Sequence, residues 1–305
     1  MTDRINTVLE RVKDSIPGIR YELNEPMGKH TSFRIGGTVR AMFFPDSANV
    51  LVMLLSEITA SDVRMLVIGN GTNLLVADAL PDMVVINTAG MCAISLQGED
   101  EIYAEAGVSL STLALFAYEH GLTGLEFAHG IPGTVGGAIV MNAGAYGGEI
   151  GDVILSSDVF APDKGVLTLG NADHSFSYRT SRYSNTEETI LSCVVKLQNG
   201  NRGDIRTLMD EYASRRRKSQ PLDIASAGST FKRPPLGYAA SLIDEAGLRG
   251  YRAGRAMVSE KHAGFVVNEG GASFSDVMAV IDHVRETVLK TAGVELEPEV
   301  RIITG

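Results

Sequence analysis

The sequence predicts an α+β fold, and three observations lead there. Strand-like runs and amphipathic helices follow one another without the regular βαβα alternation of a doubly wound parallel sheet. The chain has 305 residues, about twice the common domain length, which predicts two or three packed units. Hydrophobic residues make up 44% and charged residues 21%, a globular balance that excludes disordered, collagen-like and disulfide-scaffold classes.

The elements follow from local pattern. Within residues 1–15, Ile5, Val8, Leu9 and Val12 recur at helical spacing among charges of both signs, the signature of an amphipathic helix and not of a signal peptide. Residues 31–45 read as a loop and strand. Ser47 then stands where an N-cap belongs, before a helix turning Val50, Leu51, Leu54, Leu55 and Ile58 inward. Strands are predicted over 65–68, 83–86 and 102–106, and a helix over 109–120 that Gly121 stops. From Gly124 to Gly151, nine of 28 residues are glycine, yet Leu125, Phe127, Ile131, Val135, Ile139, Val140 and Met141 are interleaved. The segment is therefore folded, with backbone passing close to a neighbour. Strands over 153–160, 166–169 and 190–197 precede a helix over 202–218, whose end Arg215-Arg216-Arg217-Lys218 suits a helix C-terminus and which Pro221 closes off. A smaller α+β unit follows: strands at 229–232, 256–259 and 264–268, a helix at 238–246, and a helix opened by Ser273 and Asp276 at capping-box spacing. That helix buries Val277, Val280, Ile281, Val284 and Val288, and a closing strand runs over 294–303.

The net charge of −10 repels nucleic acid and anionic membrane while leaving room for a small anionic ligand in a local cationic pocket. Cys92 and Cys193 are the two cysteines. Their separation fits neither a disulfide framework nor a metal site, so both are expected as buried thiols and no metal is expected. No apolar run reaches membrane-span length, which predicts a cytoplasmic protein.

Four motifs could carry chemistry. Gly69-Asn70-Gly71-Thr72-Asn73 follows a strand and offers backbone amides to a diphosphate. Leu74 replaces the third glycine of a dinucleotide-binding fingerprint, so a tight strand-to-strand turn is the competing reading. A β-branched residue at Gly71 is expected to block diphosphate approach more than it impairs folding. Gly130-Ile131-Pro132-Gly133-Thr134-Val135-Gly136-Gly137 could supply further amides, although sharp turns need glycine too. Gly228-Ser229-Thr230-Phe231-Lys232-Arg233 sets two hydroxyls beside two cations, suited to an anionic substrate and a proton transfer. Leu296-Glu297-Pro298-Glu299-Val300-Arg301 alternates so that Glu297, Glu299 and Arg301 share one strand face while Val294, Leu296, Val300, Ile302 and Ile303 are buried.

Taken in order, these pieces resemble the bacterial UDP-N-acetylenolpyruvoylglucosamine reductases over nearly the entire chain. The matching stretches are Asn24-Glu25-Pro26, Thr31-Ser32-Phe33-Arg34-Ile35-Gly36-Gly37, the two glycine loops, Tyr178-Arg179, and the last two motifs. The resemblance implies a two-lobed FAD-binding region of the vanillyl-alcohol-oxidase type, over 1–85 and 86–220, and a substrate-binding domain over 221–305. It implies FAD as cofactor and NADPH as hydride donor. The substrate would be UDP-N-acetylglucosamine enolpyruvate, reduced to UDP-N-acetylmuramate for the cell wall.

Residue by residue, the resemblance assigns Arg34, Gly36, Gly37, Gly69, Asn70, Gly71, Thr72, Asn73, Gly133, Thr134, Gly136 and Gly137 to the cofactor. Arg179 stabilises the charge that develops when hydride reaches the terminal methylene carbon. Ser229 donates the proton to the adjacent carbon, and Glu299 is the second acid. Tyr178, Lys232, Arg233 and Arg301 are expected at the substrate, with Lys218, Lys261 and His262 as further candidates for its diphosphate. Two departures stand out. Arg233 occupies the position where one branch of the family has asparagine, and the chain has no room for that branch's tyrosine-bearing insertion. It looks like the shorter branch. An oxidase of the same cofactor fold would share the glycine loops without a serine beside an arginine, and a non-catalytic binding protein would need neither Ser229 nor Glu299.

Overall fold

A computed structural model describes residues 2–61 and 63–305 and divides the chain into two compact units. The first comprises residues 1–23, 41–70 and 82–214; the second comprises 24–40, 71–81 and 215–305.

Two sheets organise the first unit. One runs in the order Arg20–Pro26, Thr38–Phe44, Ala79–Asn87, Arg64–Ile68, with the last pair parallel and most of each strand belonging to this unit. The strand at Arg20–Pro26 has no counterpart in the sequence reading, because its residues are mostly exposed and carry no apolar alternation. Helices α1 (Thr2–Ser15) and α2 (Ala48–Thr59) bury Ile5, Val8, Val12, Leu51, Leu54, Leu55 and Ile58 in one cluster with Phe43, Val84 and Ile86. Fully burying each such side chain stabilises the fold by about 1.5–3 kcal/mol. Ser47 occupies the N-cap position of α2 but its hydroxyl makes no cap bond. Instead the Ala48 amide donates to Glu105 Oε1 at 3.1 Å, and the second oxygen of this buried carboxylate accepts from the Ala93 amide at 3.0 Å.

The other sheet is antiparallel, in the order Gly165–Gly170, Ile154–Ala161, Thr189–Lys196, Glu101–Glu105, Ile94–Gln97. Helix α3 (Leu110–Glu119) packs Leu110, Leu113, Ala114 and Ala117 onto its cluster; Ser109 caps it by accepting from the Thr112 amide, and Gly121 ends it at φ +70°. The glycine-dense segment contains a short helix, α4 (Val135–Met141), and a hairpin of Gly144–Ala145 with Gly148–Glu149. Periodicity was masked there by glycines at helical positions. Cys193 is buried and its thiol is pushed up to about 12 by burial, whereas Cys92 is exposed. The expectation of two buried thiols fails at Cys92, which sits in the connection between Met91 and the strand at Ile94–Gln97.

Helix α5 (Arg202–Ser219) carries the chain from the first unit into the second. In the second unit, a four-stranded antiparallel sheet runs Ala225–Ser226, Val266–Asn268, Ala256–Val258, Arg252–Ala253. Helix α6 (Ala239–Glu245) and helix α7 (Phe274–Ala292) bury Ile243, Val277, Val280, Ile281, Val284 and Val288 with Phe33, Ile35 and Leu75. The Ser273–Asp276 capping box is formed as predicted. The closing strand is shorter than predicted: Arg301–Ile303 alone pairs, in parallel, with Leu74–Val76. Pro298 lacks an amide hydrogen, and residues 294–300 form no strand but an isolated bridge of Pro298 with Phe231 and separate bonds at Leu296, Glu297 and Glu299. Leu296 and Val300 are buried, but Val294 is only partly so and Ile302 is 36% exposed, correcting the buried face expected there.

Candidate functional site

In the first unit the two glycine loops meet. A Cβ built on Gly69 would lie 2.1 Å from Thr134 Oγ1, so the turn after the strand Arg64–Ile68 sits directly on the Gly130–Gly137 loop. Thr134 is buried, and its backbone is tied to Ser109 by a β-bridge. The Gly133 carbonyl accepts from the Leu110 amide at 3.0 Å and the Gly136 amide donates to Ala106 at 2.9 Å. Asn70 and Gly137 remain exposed, and a Cβ on Gly137 would meet only Thr134 Oγ1, at 3.8 Å. The open backbone at Gly137 is of the kind that a diphosphate-bearing cofactor requires for close approach.

Tyr178 and Arg179 form the tip of a two-residue turn. Ser177 and Thr180 exchange amide-to-carbonyl bonds of 3.1 Å on either side of it. Arg179 adopts φ +52°, a left-handed conformation costly to a residue with a side chain. Its guanidinium donates to the Gly144 carbonyl at 2.7 Å and to the Asn142 carbonyl at 3.4 Å, and lies 5.1 Å from the Tyr178 ring centre. Asn142, itself buried, donates to Glu149 Oε1 at 2.8 Å and to the Ser177 carbonyl at 3.1 Å. The result is a fixed cation on a rigid hairpin, able to meet developing negative charge without reorganising.

In the second unit three sequence-distant stretches converge. The Ser32 amide donates to the Gly71 carbonyl at 3.1 Å, and the Gly37 amide to the Ala77 carbonyl at 2.8 Å. Gly71 has φ +59°, is buried, and would place a Cβ 2.0 Å from the His30 carbonyl oxygen. The expectation that a larger residue there would spare folding is thereby corrected, since protein backbone already fills the space. Gly37 is equally confined, 2.0 Å from the Asp78 carbonyl, and Gly36 lies at φ +138° against Met27 and Val76. Arg34 is exposed at φ +57°. Asn73 ties this turn to the C-terminal stretch: its Nδ2 donates to the Glu299 carbonyl at 3.1 Å and its carbonyl accepts from the Arg301 amide at 2.9 Å.

The Glu299 amide in turn donates to the Thr230 carbonyl at 2.8 Å, and the Lys232 amide to Glu297 at 2.9 Å, around a bridge of Phe231 with Pro298. The predicted strand at 229–232 is this bridge and no more. Buried Thr230 anchors it through bonds to Gly264 and Val266. Ser229 is exposed, Glu299 half-buried, and Thr72 partly buried. Lys232 pairs with Glu297 at 2.5 Å, a partner that the shared-face reading did not supply. Arg233 stacks on the exposed Tyr238 ring at 4.3 Å. Lys261 reaches the Arg217 carbonyl at 2.8 Å, and burial pushes His262 below the ordinary imidazole range. Lys218 and Arg301 are exposed. Sequence reasoning missed the carbonyls that hold Arg179 and the Asn73 clamp, since main-chain acceptors leave no residue signature.

Two families match: an FAD binding domain over residues 39–170, and the UDP-N-acetylenolpyruvoylglucosamine reductase C-terminal domain over 220–303. The chain is 44% identical to the UDP-N-acetylenolpyruvoylglucosamine reductase of Caldanaerobacter subterraneus subsp. tengcongensis over 97% of this chain and 98% of that one. It is 42% identical to the same enzyme of Pediococcus pentosaceus over 96% and 98%. The crystal structure of the reductase from Thermus caldophilus superimposes with a TM-score of 0.79 at 32% identity, covering 94% of this chain and 99% of that one. A grass pollen allergen with glucose dehydrogenase activity, Phl p 4, aligns at TM-score 0.51 and 13% identity over 64% of this chain and 44% of its own. That likeness concerns the fold alone; the chain has an FAD-binding region of the vanillyl-alcohol-oxidase type and a smaller α+β C-terminal domain.

Proposed function

The chain belongs to the UDP-N-acetylenolpyruvoylglucosamine reductase family, and from that membership we infer how its residues divide the work. The reaction is the NADPH-dependent, FAD-mediated reduction of UDP-N-acetylglucosamine enolpyruvate to UDP-N-acetylmuramate in peptidoglycan precursor synthesis. When bound, FAD would supply the hydride chemistry that links NADPH to the enolpyruvyl double bond. Arg34, Gly36, Gly37, Gly69, Asn70, Gly71, Thr72, Asn73, Gly133, Thr134, Gly136 and Gly137 are the residues we assign to hold it. The contact of Gly69 with the Thr134 side chain, which brings the two glycine loops together, supports that assignment.

Arg179 stabilises negative charge on the carbon next to the hydride acceptor and on its carboxylate. Ser229 delivers a proton to that carbon, and Glu299 is the second acid. A serine hydroxyl is a weak acid and suits this role only against a strongly basic enolate. Tyr178, Lys232, Arg233 and Arg301 bind the substrate's anionic groups, with Lys218, Lys261 and His262 available to its diphosphate. Residues 1–85 and 86–220 are assigned as the FAD lobes and 221–305 as the substrate domain. Among the described residues no helix is long and apolar enough to cross a membrane, and we place the reaction in the cytoplasm, with no nucleic-acid partner.

The observation that supports the residue roles is the chain of bonds from Asn73 to Glu299 and from Glu299 to Thr230, the residue next to Ser229. Reduction of the flavin by NADPH needs neither a proton donor to carbon nor an enolate stabiliser. Ser229→Ala and Glu299→Gln are therefore expected to bleach with NADPH at nearly the wild-type rate in stopped-flow absorbance. Reoxidation by the enolpyruvyl substrate should slow by roughly 10²-fold, the loss typical of a positioned acid. Normal reoxidation in both variants would remove the acid assignments; equal loss of both half-reactions would reassign these residues to cofactor placement.

A further inference from the structure

The turn that presents Arg179 is closed at its base by a buried polar pair for which the proposed reaction has no direct use. On either side of the Ser177–Thr180 bridge the chain enters short 3-10 turns, which carry His174 and Tyr183. His174 Nδ1 lies 2.7 Å from the Tyr183 hydroxyl, and the residues are 0% and 3% exposed. The imidazole stacks on Phe176, ring centres 5.0 Å apart, and Phe176 occupies space that a side chain at Gly151 would enter, at 3.0 Å. His174 Nε2 is buried with no hydrogen-bond partner. Burying a ring nitrogen unsatisfied is costly, and a plain apolar side chain would fill the same space without that cost. What the polar pair adds is direction. It pins the two ends of residues 174–183, while Ser181 is held to the Val140 carbonyl at 2.8 Å and Arg182 is paired to Glu188 at 2.7 and 2.9 Å.

We infer that His174 and Tyr183 are positioning residues: their hydrogen bond fixes the base of the turn so that Arg179, in its left-handed conformation, keeps its guanidinium on the Gly144 and Asn142 carbonyls. The inference rests on the role assigned to Arg179 above. Burial lowers the basicity of His174 and raises the pKa of Tyr183, which keeps the bond between two neutral groups.

The test uses Tyr183→Phe, the double variant His174→Phe with Tyr183→Phe, and Arg179→Lys, each as FAD-loaded full-length protein. Tyr183→Phe is expected to lower the melting temperature. It should slow substrate-driven reoxidation roughly 10-fold, the scale of a small misplacement of a charge-stabilising group, with NADPH bleaching within about twofold of wild type. The double variant removes both polar partners, so melting temperature should recover toward wild type while reoxidation stays slow. Recovery of the rate together with stability would overturn the inference, as would equal slowing of both half-reactions or normal reoxidation in Tyr183→Phe. Arg179→Lys separates the two levels. If it reoxidises normally, the role of Arg179 falls and the positioning inference with it; if only Tyr183→Phe does, the arginine assignment stands and the positioning inference alone is lost.

Discussion

At Gly69, unlike Gly36 and Gly71, the backbone conformation is ordinary and sterics alone exclude a side chain. An added Cβ would sit 2.1 Å from Thr134 Oγ1 and 2.8 Å from its methyl group. Gly69→Ala is expected to destabilise the protein by about 1–3 kcal/mol through overpacking, read as a shift in denaturant midpoint. Removing the obstruction with Thr134→Ala should recover most of that loss, because residues in direct contact couple strongly in a double-mutant cycle. Additive losses would show that the glycine is needed for another reason. Gly71 contrasts with this: positive φ and the His30 carbonyl both exclude a side chain, and no substitution of a neighbouring side chain relieves a clash with backbone. The sequence made both glycines visible as a loop suited to a phosphate. It could not distinguish them, since what Gly69 avoids lies 65 positions away in the chain. Arg179 was legible as a cation of the right type, but its left-handed backbone was not, because local propensity argues against it.

Among the elements, helix starts show most directly what local pattern can and cannot deliver. Three helices begin at a serine: Ser109 and Ser273 accept from the amides of Thr112 and Asp276, and Ser47 makes no such bond. Ser47 and Ser273 were legible as helix starts and Ser109 only as the first residue of a helix, and the donor that matters for α2 is served by Glu105, from a strand of the other sheet of its unit. Ser47→Ala is therefore expected to change stability by less than about 0.5 kcal/mol. Glu105→Gln should cost about 1–3 kcal/mol, since an amide offers one acceptor oxygen where two amide donors converge on a buried carboxylate. Urea midpoints of the two variants check the pair; a larger loss at Ser47 than at Glu105 would restore the local cap. The long amphipathic helices α1, α5 and α7 were legible because a buried stripe or a charged helix end shows in the pattern itself. The interrupted segments, 124–151 and 294–300, were harder: glycine conceals α4, and 294–300, which includes Pro298, forms no strand where alternation alone suggested one.

Across the whole chain, burial lowers the pKa of two imidazoles, the buried His174 in the first unit and the half-buried His262 in the second. Neighbouring charges modify this without reversing it: Asp173 raises and Arg182 lowers His174, while Arg249 lowers His262 against a backbone bond that raises it. In the unfolded chain both titrate near about 6.5. Between that value and the lower folded values the unfolded state binds more protons, so stability is complete above about pH 6.5 and declines as pH falls through that window. Carboxylates act separately. Asp276 is held below the ordinary range by the Ser273 and Arg255 amides, and Asp244 by Arg249. Their folded values are depressed, so their contribution is present above about pH 4 and lost below it. Urea midpoints taken from pH 7.5 downward should thus show two declines, the first below about 6.5 and the second below about 4. His174→Gln combined with His262→Gln should flatten the first and leave the second in place. If the doubly substituted protein still loses stability between about pH 6.5 and 5, the acid sensitivity arises outside these two rings.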